Sequence, residues 1–85
     1  MLTFTGEGWD DYVNWQEEDR KTLKRINRLI QSVERDGPMK GEGQPEKLKN
    51  VVDTYSRRID DKNRLIYIAQ SGNYTVKSCK GHYDD

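Results

Sequence analysis

Apolar side chains recur every three or four residues in two stretches of the first half of the chain, the spacing of amphipathic helices. The first stretch runs from about residue 6 to residue 16, and its stripe consists of Trp9, Tyr12, Val13 and Gln16. The second has a longer stripe, formed by Leu23, Ile26, Leu29, Ile30 and Val33. Asp19 is placed to cap the second helix. Gly37 and Pro38 end it, because proline cannot continue the helical hydrogen bonds.

The second half of the chain has the pattern of strands separated by polar turns. Residues 55–59, 64–69 and 74–83 are predicted strands, and a short first strand covers residues 2–5. Because the turns between the last three strands are short, these strands should form an antiparallel meander. Residues 65–69 are apolar on both faces, which predicts a central strand that is covered on both sides.

Residues 37–54, between the second helix and the meander, are polar and contain Gly41, Gly43 and Pro45, so we expect an ordered loop. The element order β-α-α-β-β-β predicts an α+β fold, in which a mostly antiparallel sheet has two N-terminal helices packed on one face. A chain of 85 residues has room for one modest core, so residues 1–85 are predicted to form a single domain.

The net charge of zero conceals an uneven distribution. Residues 1–19 carry six acidic side chains and no basic one, whereas residues 20–83 carry 15 basic against seven acidic side chains, a net charge of +8. Lysine and arginine neutralise phosphates and release counterions, so this basic body suits a nucleic-acid partner. Two solvated helices with unlike surfaces explain the distribution equally well.

The compartment is indicated by two features. The single cysteine, Cys79, cannot form an internal disulfide and suits a reducing cytoplasm. Residues 1–5 lack the character of a signal peptide, and no apolar stretch approaches the roughly 20 residues that span a bilayer. We therefore expect a cytoplasmic protein with no membrane partner.

Three kinds of catalytic site are disfavoured. One histidine and one cysteine cannot supply the paired ligands of a zinc site, so we expect neither a metal nor another cofactor. Cys79 and His82 lie three residues apart on one predicted strand, so their side chains should point to opposite faces. Residues 41–44 lack the lysine and the serine or threonine of a phosphate-binding Walker loop.

A carboxylate, an arginine and a histidine remain, and they match the three roles of RNA cleavage without a metal. A base removes the 2′-hydroxyl proton, a fixed cation stabilises charge on the phosphoryl oxygens, and an acid protonates the leaving 5′-oxygen. The candidates are Glu46 as base, Arg64 as cation and His82 as acid. Histidine suits proton transfer because its unperturbed pKa is about 6.5. The competing interpretation makes Glu46 a solvated acid of the loop, Arg64 a salt-bridge partner at the end of a strand and His82 a frayed terminal residue.

Several short motifs of the chain resemble those of the YoeB toxins of the RelE superfamily, nearly from end to end. Each motif is unspecific alone, whereas all of them in order and at family spacing are specific. The matching segments are Trp9-Asp10-Asp11-Tyr12, Trp15-Gln16, Lys24-Arg25-Ile26-Asn27, Gly41-Glu42-Gly43-Gln44-Pro45-Glu46, Leu48-Lys49, Ser56-Arg57-Arg58-Ile59, Asn63-Arg64-Leu65-Ile66-Tyr67 and His82-Tyr83.

The resemblance implies a toxin of a type II toxin–antitoxin system with a microbial-ribonuclease-like fold. Such a toxin enters the vacant A site of a translating ribosome and cuts the mRNA there. The catalytic residues implied by the resemblance are Glu46 as general base, His82 as general acid, Arg64 as transition-state cation and Tyr83 as the residue that positions substrate or acid. The residues expected to bind RNA are Lys49, Arg57, Arg58 and Lys80.

The partners implied by the resemblance are the ribosome, mRNA and a cognate antitoxin of the YefM or Phd type. Operator DNA would be reached only through the antitoxin, and a homodimer is a further expected assembly. A non-catalytic RNA- or ribosome-binding module is the alternative, since it would show the same basic surface. A DNA-binding regulator is disfavoured, because the helix pair has no obvious recognition helix.

The chain departs from the family at its C-terminus. The family commonly ends in Arg-Tyr-His-Tyr, whereas this chain has Lys80-Gly81-His82-Tyr83 followed by two aspartates. The missing aromatic side chain at Gly81 is expected to loosen the strand or to remove a stacking surface. Two outcomes are open for Asp84 and Asp85: they raise the pKa of His82 and repel phosphate, or they are a harmless disordered extension.

Overall fold

Two helices and five strands make up the fold in the computed structural model, which describes residues 1–81. The elements in chain order are β1 (Leu2–Phe4), α1 (Gly6–Glu18), α2 (Arg20–Asp36), β2 (Glu46–Lys47), β3 (Thr54–Arg58), β4 (Arg64–Gln70) and β5 (Asn73–Ser78). The sheet order is β1-β5-β4-β3-β2. Within this part of the chain, β1 pairs with β5 in parallel and all other pairs are antiparallel. The predicted α+β fold and the central position of the strand over residues 64–69 are confirmed.

Helix α1 lies directly on β5 because Gly8 has no side chain to keep the two apart. A Cβ atom at Gly8 would lie 2.3 Å from the carbonyl oxygen of Val76. The buried residues of α1 are Gly8 and Trp15, whereas Trp9 is 51% and Val13 38% exposed. The predicted helix is confirmed. Of its predicted stripe, Tyr12 packs against the core, whereas Trp9, Val13 and Gln16 are exposed, so the stripe is wrong at these three positions. The close approach to β5 requires a glycine, which a search for apolar positions overlooks.

Helix α2 has the predicted ends. The Asp19 carboxylate accepts the backbone N–H of Lys21 at 3.0 Å and of Thr22 at 3.4 Å. The helix ends at Asp36, and Gly37 follows with a φ of +91°. Its buried side chains form the core with residues of the sheet, which include Ile26, Leu29, Ile30 and Val33 from α2 and Leu65, Tyr67 and Val76 from β4 and β5.

The predicted continuous loop over residues 37–54 is wrong in its middle. Glu46 pairs with Ser56 and Lys47 pairs with Tyr55, so these two residues form an edge strand. Two residues are too few to produce a recognisable alternation, which is why the pattern did not reveal this strand.

The predicted last strand is also too long. Strand β5 ends at Ser78, and both backbone groups of the next residue, Cys79, bind side chains of α1. The predictions for His82 and Tyr83, and those for Asp84 and Asp85, lie outside the described residues.

Candidate active site

The strand register places Glu46, Arg58 and Arg64 on one face of the sheet. Directly paired residues of neighbouring strands share a face, and Glu46 pairs with Ser56 while Arg58 pairs with Arg64. Ser56 and Arg58 are two residues apart on β3, so their side chains point the same way. The alternate residue Tyr55 packs against the core on the helix side. We call the side of the sheet that carries Glu46, Ser56, Arg58 and Arg64 the outer face; Ser56 is the buried member of this set.

The spacing across the outer face suits a nucleotide. Glu46 and Arg64 are separated by two strand spacings and by two residues along a strand, roughly 12 Å between their Cα atoms. Both side chains are long and lie on the same side of β3, so a substrate lying across that strand can contact both.

Arg64 is held by a rigid turn at the start of the central strand. Its Nη1 donates to the carbonyl oxygens of Asp60 at 2.6 Å and of Asn63 at 3.0 Å. The Asp60 carboxylate accepts the backbone N–H groups of Lys62 and Asn63, each at 2.8 Å. Partial burial opposes ionisation of Asp60, but these hydrogen bonds lower its pKa overall. The guanidinium therefore starts from a fixed position, which suits recognition of phosphate.

Arg58 adds a second cation to the outer face. Its guanidinium forms an exposed ion pair with Asp61, and its backbone is fixed by an N–H bond to the Gly43 carbonyl at 2.6 Å. An exposed ion pair contributes at most about 1 kcal/mol, so phosphate can replace Asp61. Glu46 is exposed on the edge strand. Lys49 is exposed in the segment that follows β2 and has an interaction partner of its own.

The segment that leads to His82 is bound to the start of β4. The Arg64 N–H donates to the Gly81 carbonyl at 2.9 Å, and the Gly81 N–H donates to Asn63 Oδ1 at 2.8 Å. Gly81 has a φ of +88°, which glycine adopts without steric strain. The expected loosening of a strand at Gly81 is therefore wrong, because β5 has already ended and both polar backbone groups of Gly81 are bonded.

Helix α1 holds the two preceding residues. The Asp11 carboxylate accepts the Cys79 N–H at 3.0 Å, and Trp15 Nε1 donates to the Cys79 carbonyl at 2.8 Å. Lys80 Nζ lies 3.2 Å from Glu18 Oε2 and 5.5 Å from the centroid of the Trp15 ring. Part of the acidic first helix thus binds the chain segment before the candidate acid. Lys80 points to α1, so contact with RNA would require this exposed ion pair to open.

Arg57 is not on the outer face, and its predicted contact with RNA is wrong. Its side chain is 0% exposed and lies on the helix side of the sheet. Successive strand residues point to opposite faces, so one of two consecutive arginines has to face the core. The strand pattern therefore contained the signal that separates Arg57 from Arg58.

Cys79 is unsuited to nucleophilic chemistry because it is buried. Its side chain is 0% exposed. Burial raises the pKa of the thiol to about 12, and the nearby Asp11 charge acts in the same direction. A thiol that stays protonated at neutral pH is a poor nucleophile. The exclusion of a cysteine nucleophile rests on this burial, since the strand alternation invoked for it ends at Ser78.

Residues 1–81 contain no cluster of three or more histidine, cysteine or acidic side chains placed to hold a metal ion. In the same part of the chain, neither helix has the length and apolar character needed to cross a membrane.

Comparison with known proteins agrees with the motifs. The sequence model of the YoeB-like toxins of bacterial type II toxin–antitoxin systems matches residues 4–83. The chain belongs to this family. Toxin YoeB of Streptomyces coelicolor is 51% identical over 83 residues, which cover 96% of this chain and 98% of that protein.

Solved structures of YoeB toxins have the same fold. The toxin in a heterotetrameric YoeB–YefM toxin–antitoxin complex from Staphylococcus aureus matches with a TM-score of 0.90 at 42% identity, covering 98% of this chain and 97% of that chain. A YoeB dimer from Staphylococcus aureus matches with a TM-score of 0.90 at 41% identity, covering 96% and 95% of the two chains. The expected family and fold are confirmed.

In this YoeB-like toxin, the sequence motifs contained three residues whose structural role the patterns did not reveal. Asp11, Trp15 and Asn63 bind the backbone of residues 79–81. Each of the three has a polar group at a buried or half-buried position. Such a group needs a hydrogen-bond partner, and this need is the signal that could have indicated their role.

Proposed function

We propose that this chain is an endoribonuclease toxin that cuts mRNA in the A site of a translating ribosome. The observation that carries the proposal is the outer face, on which Glu46 and Arg64 share one side of the sheet. Residue 82 follows Gly81, whose carbonyl is bound by the Arg64 backbone. A base, a cation and an acid around one phosphate are the groups that the cleavage needs.

In the proposed reaction, Glu46 is the general base. Its carboxylate takes the proton of a ribose 2′-hydroxyl, and the 2′-oxygen forms a bond to the adjacent phosphorus. The bond from phosphorus to the 5′-oxygen breaks, and that oxygen takes a proton from His82. The products are a 2′,3′-cyclic phosphate and a 5′-hydroxyl. Both proton transfers use protein side chains, so the route needs no metal ion.

Cations stabilise the charge that develops on the phosphoryl oxygens. Arg64 is the primary clamp, because its guanidinium is held by the turn before β4 and can give two parallel hydrogen bonds. Arg58 lies opposite Arg64 in the register and is placed to contact the same or the next phosphate. Lys49 binds flanking RNA, and Lys80 does so once its ion pair with Glu18 opens. Tyr83 positions the substrate or His82.

The proposed dependence on the ribosome is supported by a second basic surface. Arg20, Lys21 and Lys24 are exposed on α2, which packs on the side of the sheet opposite the outer face. A surface on that side is placed to bind ribosomal RNA while the outer face holds mRNA. Translating ribosomes would place this activity in the cytoplasm.

The partners are carried over from the related toxins. YoeB of Staphylococcus aureus occurs with YefM in a heterotetramer and also as a dimer. We infer an antitoxin of this type for the present chain, together with a toxin homodimer. An acidic antitoxin tail that orders on binding would cover the basic surface of Arg58 and Arg64 and block cleavage. Operator DNA would be bound through the antitoxin.

Expression of the chain alone in a bacterial host tests the proposal. We expect arrest of growth and of protein synthesis, and we expect relief by Glu46→Gln or Arg64→Ala. Glu34→Gln is the matched control, because Glu34 is exposed on α2, away from the outer face. Normal growth with folded wild-type protein present would contradict the proposal. Arrest that persists in the folded Glu46→Gln and Arg64→Ala variants would favour the non-catalytic ribosome-binding module.

A further inference from the structure

A fully buried arginine organises the loop between α2 and β2, residues 37–45. All nitrogen atoms of the Arg57 guanidinium donate to two hydroxyl groups and three loop carbonyls, and an arginine has five N–H donors to give. The bonds are Nε to Tyr67 Oη at 2.9 Å, Nη1 to Ser32 Oγ at 2.8 Å and to Glu42 O at 2.9 Å, and Nη2 to Gly37 O at 2.7 Å and to Lys40 O at 2.6 Å. We call this set of acceptors the Arg57 cage.

The cage is completed by groups that are themselves bonded. The Tyr67 hydroxyl donates to the Pro38 carbonyl at 2.6 Å, and burial raises its pKa, so it stays protonated. Ser32 Oγ donates to Asp36 at 3.0 Å and accepts the Glu42 N–H at 3.0 Å. The buried charge thus lies near the C-terminal end of α2 and one hydroxyl away from a carboxylate, both of which favour a cation.

The loop closes so tightly around the cation that a side chain at position 41 has no room. A Cβ atom at Gly41 would lie 2.1 Å from Ser32 Oγ and 3.2 Å from Arg57 Nη1, and the φ of Gly41 is +101°. The loop is therefore closely packed around the cation at this position.

The 37–45 loop, which Arg57 binds, leads directly into β2, and β2 begins at Glu46. The residue after the last caged carbonyl, Gly43, accepts the Arg58 N–H at 2.6 Å, and two residues separate it from β2. A two-residue edge strand is weak by itself. Its pairing with β3 is extended by the Leu48 N–H, which donates to the Thr54 carbonyl at 2.9 Å, and on the other side by the loop that enters it.

We infer that Arg57 is a positioning residue that sets the place of Glu46 on the outer face through the 37–45 loop. The inference rests on the proposed role of Glu46 as general base. One strand therefore supplies two arginines with different tasks, Arg58 towards substrate and Arg57 towards the scaffold that holds the base.

Tyr67→Phe is the main test variant, because it removes the acceptor of Arg57 Nε and the donor to Pro38 while keeping the aromatic ring. Tyr55→Phe is its matched control, since Tyr55 stacks on Tyr67 with ring centroids 5.7 Å apart and its hydroxyl is not a cage acceptor. Arg57→Lys keeps the charge but cannot give five bonds. We therefore expect Arg57→Lys to cleave more slowly than the wild type, although the charge is kept.

Two readouts separate positioning from general stability. The Arg58 N–H bonds to Gly43 before β2, and the Leu48 N–H bonds to Thr54 after it. In folded Tyr67→Phe we expect these two amides to exchange at least about tenfold faster than in Tyr55→Phe. We also expect single-turnover cleavage at saturating ribosomes to fall about 10- to 100-fold, as for a slightly misplaced catalytic group. In a Glu46→Gln background Tyr67→Phe should cause no further fall, because both changes act through one group.

Unchanged amide exchange in Tyr67→Phe would overturn the inference, and so would a wild-type cleavage rate in Tyr67→Phe or in Arg57→Lys. An undiminished effect of Tyr67→Phe on top of Glu46→Gln would show that the cage acts elsewhere. If the wild-type chain does not cleave, the proposed function fails on its own account. The amide exchange then still decides whether Arg57 fixes β2.

Discussion

The backbone N–H of Arg64 donates to the carbonyl oxygen of Gly81 over 2.9 Å, and this bond joins the candidate cation to the residue before the candidate acid. Asn63 strengthens the connection by accepting the Gly81 N–H at 2.8 Å. The turn that fixes the arginine therefore also fixes Gly81. Charge stabilisation by Arg64 and proton donation by His82 would both depend on the turn formed by residues 60–63.

Asn63→Ala should lower the cleavage rate, because the Gly81 N–H loses its side-chain acceptor and the segment leading to His82 gains freedom. We expect a fall of about tenfold or more in single-turnover cleavage on programmed ribosomes, with ribosome binding unchanged. Asn73→Ala is the control, since Asn73 contacts the N-terminus at the other end of the sheet. Equal rates for the two variants would mean that Asn63 has no part in positioning the acid.

Arg57→Ala and Arg58→Ala should differ strongly in stability although the residues are neighbours. Removing Arg57 leaves several buried acceptors without a donor, for which we expect a loss of at least about 3 kcal/mol in the free energy of unfolding. Removing Arg58 breaks an exposed ion pair with Asp61, for which we expect less than about 1 kcal/mol. Urea denaturation measures both, and similar losses would contradict the assigned burial.

Gly8→Ala should destabilise the fold, because the new Cβ atom would lie 2.3 Å from the Val76 carbonyl oxygen and push α1 off β5. We expect a loss of about 1–3 kcal/mol in the free energy of unfolding, as for other overpacked sites. Gly6→Ala is matched to it in chemistry and helix, with nothing within 4 Å of its Cβ. A melting temperature for Gly8→Ala as high as that of Gly6→Ala would show that the helix is not in close contact.

The Cys79 thiol should be nearly inert in the folded protein. Its pKa is raised by burial to about 12 in the folded state, above the ordinary value of 9.0. The stability gained from the protonated thiol is therefore full below pH 9 and is lost as pH rises towards 12. We expect thiol-reagent labelling at pH 8 only after unfolding, and a flatter alkaline loss of stability in Cys79→Ala. Rapid labelling of the native protein would refute the buried position.

The regular elements could be predicted because their patterns are long. The seventeen-residue helix α2 carries a cap, a stripe and a stop, and each is visible in the sequence. The central strand is a run of apolar residues between polar turns. The sequence pattern predicts a loop at Glu46 because a two-residue strand leaves no alternation, and the pairing of Glu46 with Ser56 depends on β3.

Only part of the site could be predicted, because some of its residues are positioned by contacts with distant segments of the chain. Arg64 opens a strand, so its position follows from local sequence. The burial of Arg57 depends on carbonyl groups of a loop up to 20 residues away in the chain. The anchoring of Gly81 depends on Asn63, 18 residues away. No local pattern contains such contacts between distant segments.

Single-turnover cleavage of mRNA by the purified chain, with and without programmed ribosomes, tests the central claim most directly. We expect cutting in the A-site codon on ribosomes only, with 2′,3′-cyclic phosphate and 5′-hydroxyl ends. We expect Glu46→Gln and His82→Gln to slow it by about 10²- to 10⁴-fold with ribosome binding intact. Ends with 3′-hydroxyl and 5′-phosphate, equal cutting of bare mRNA, or wild-type rates in both variants would contradict the account.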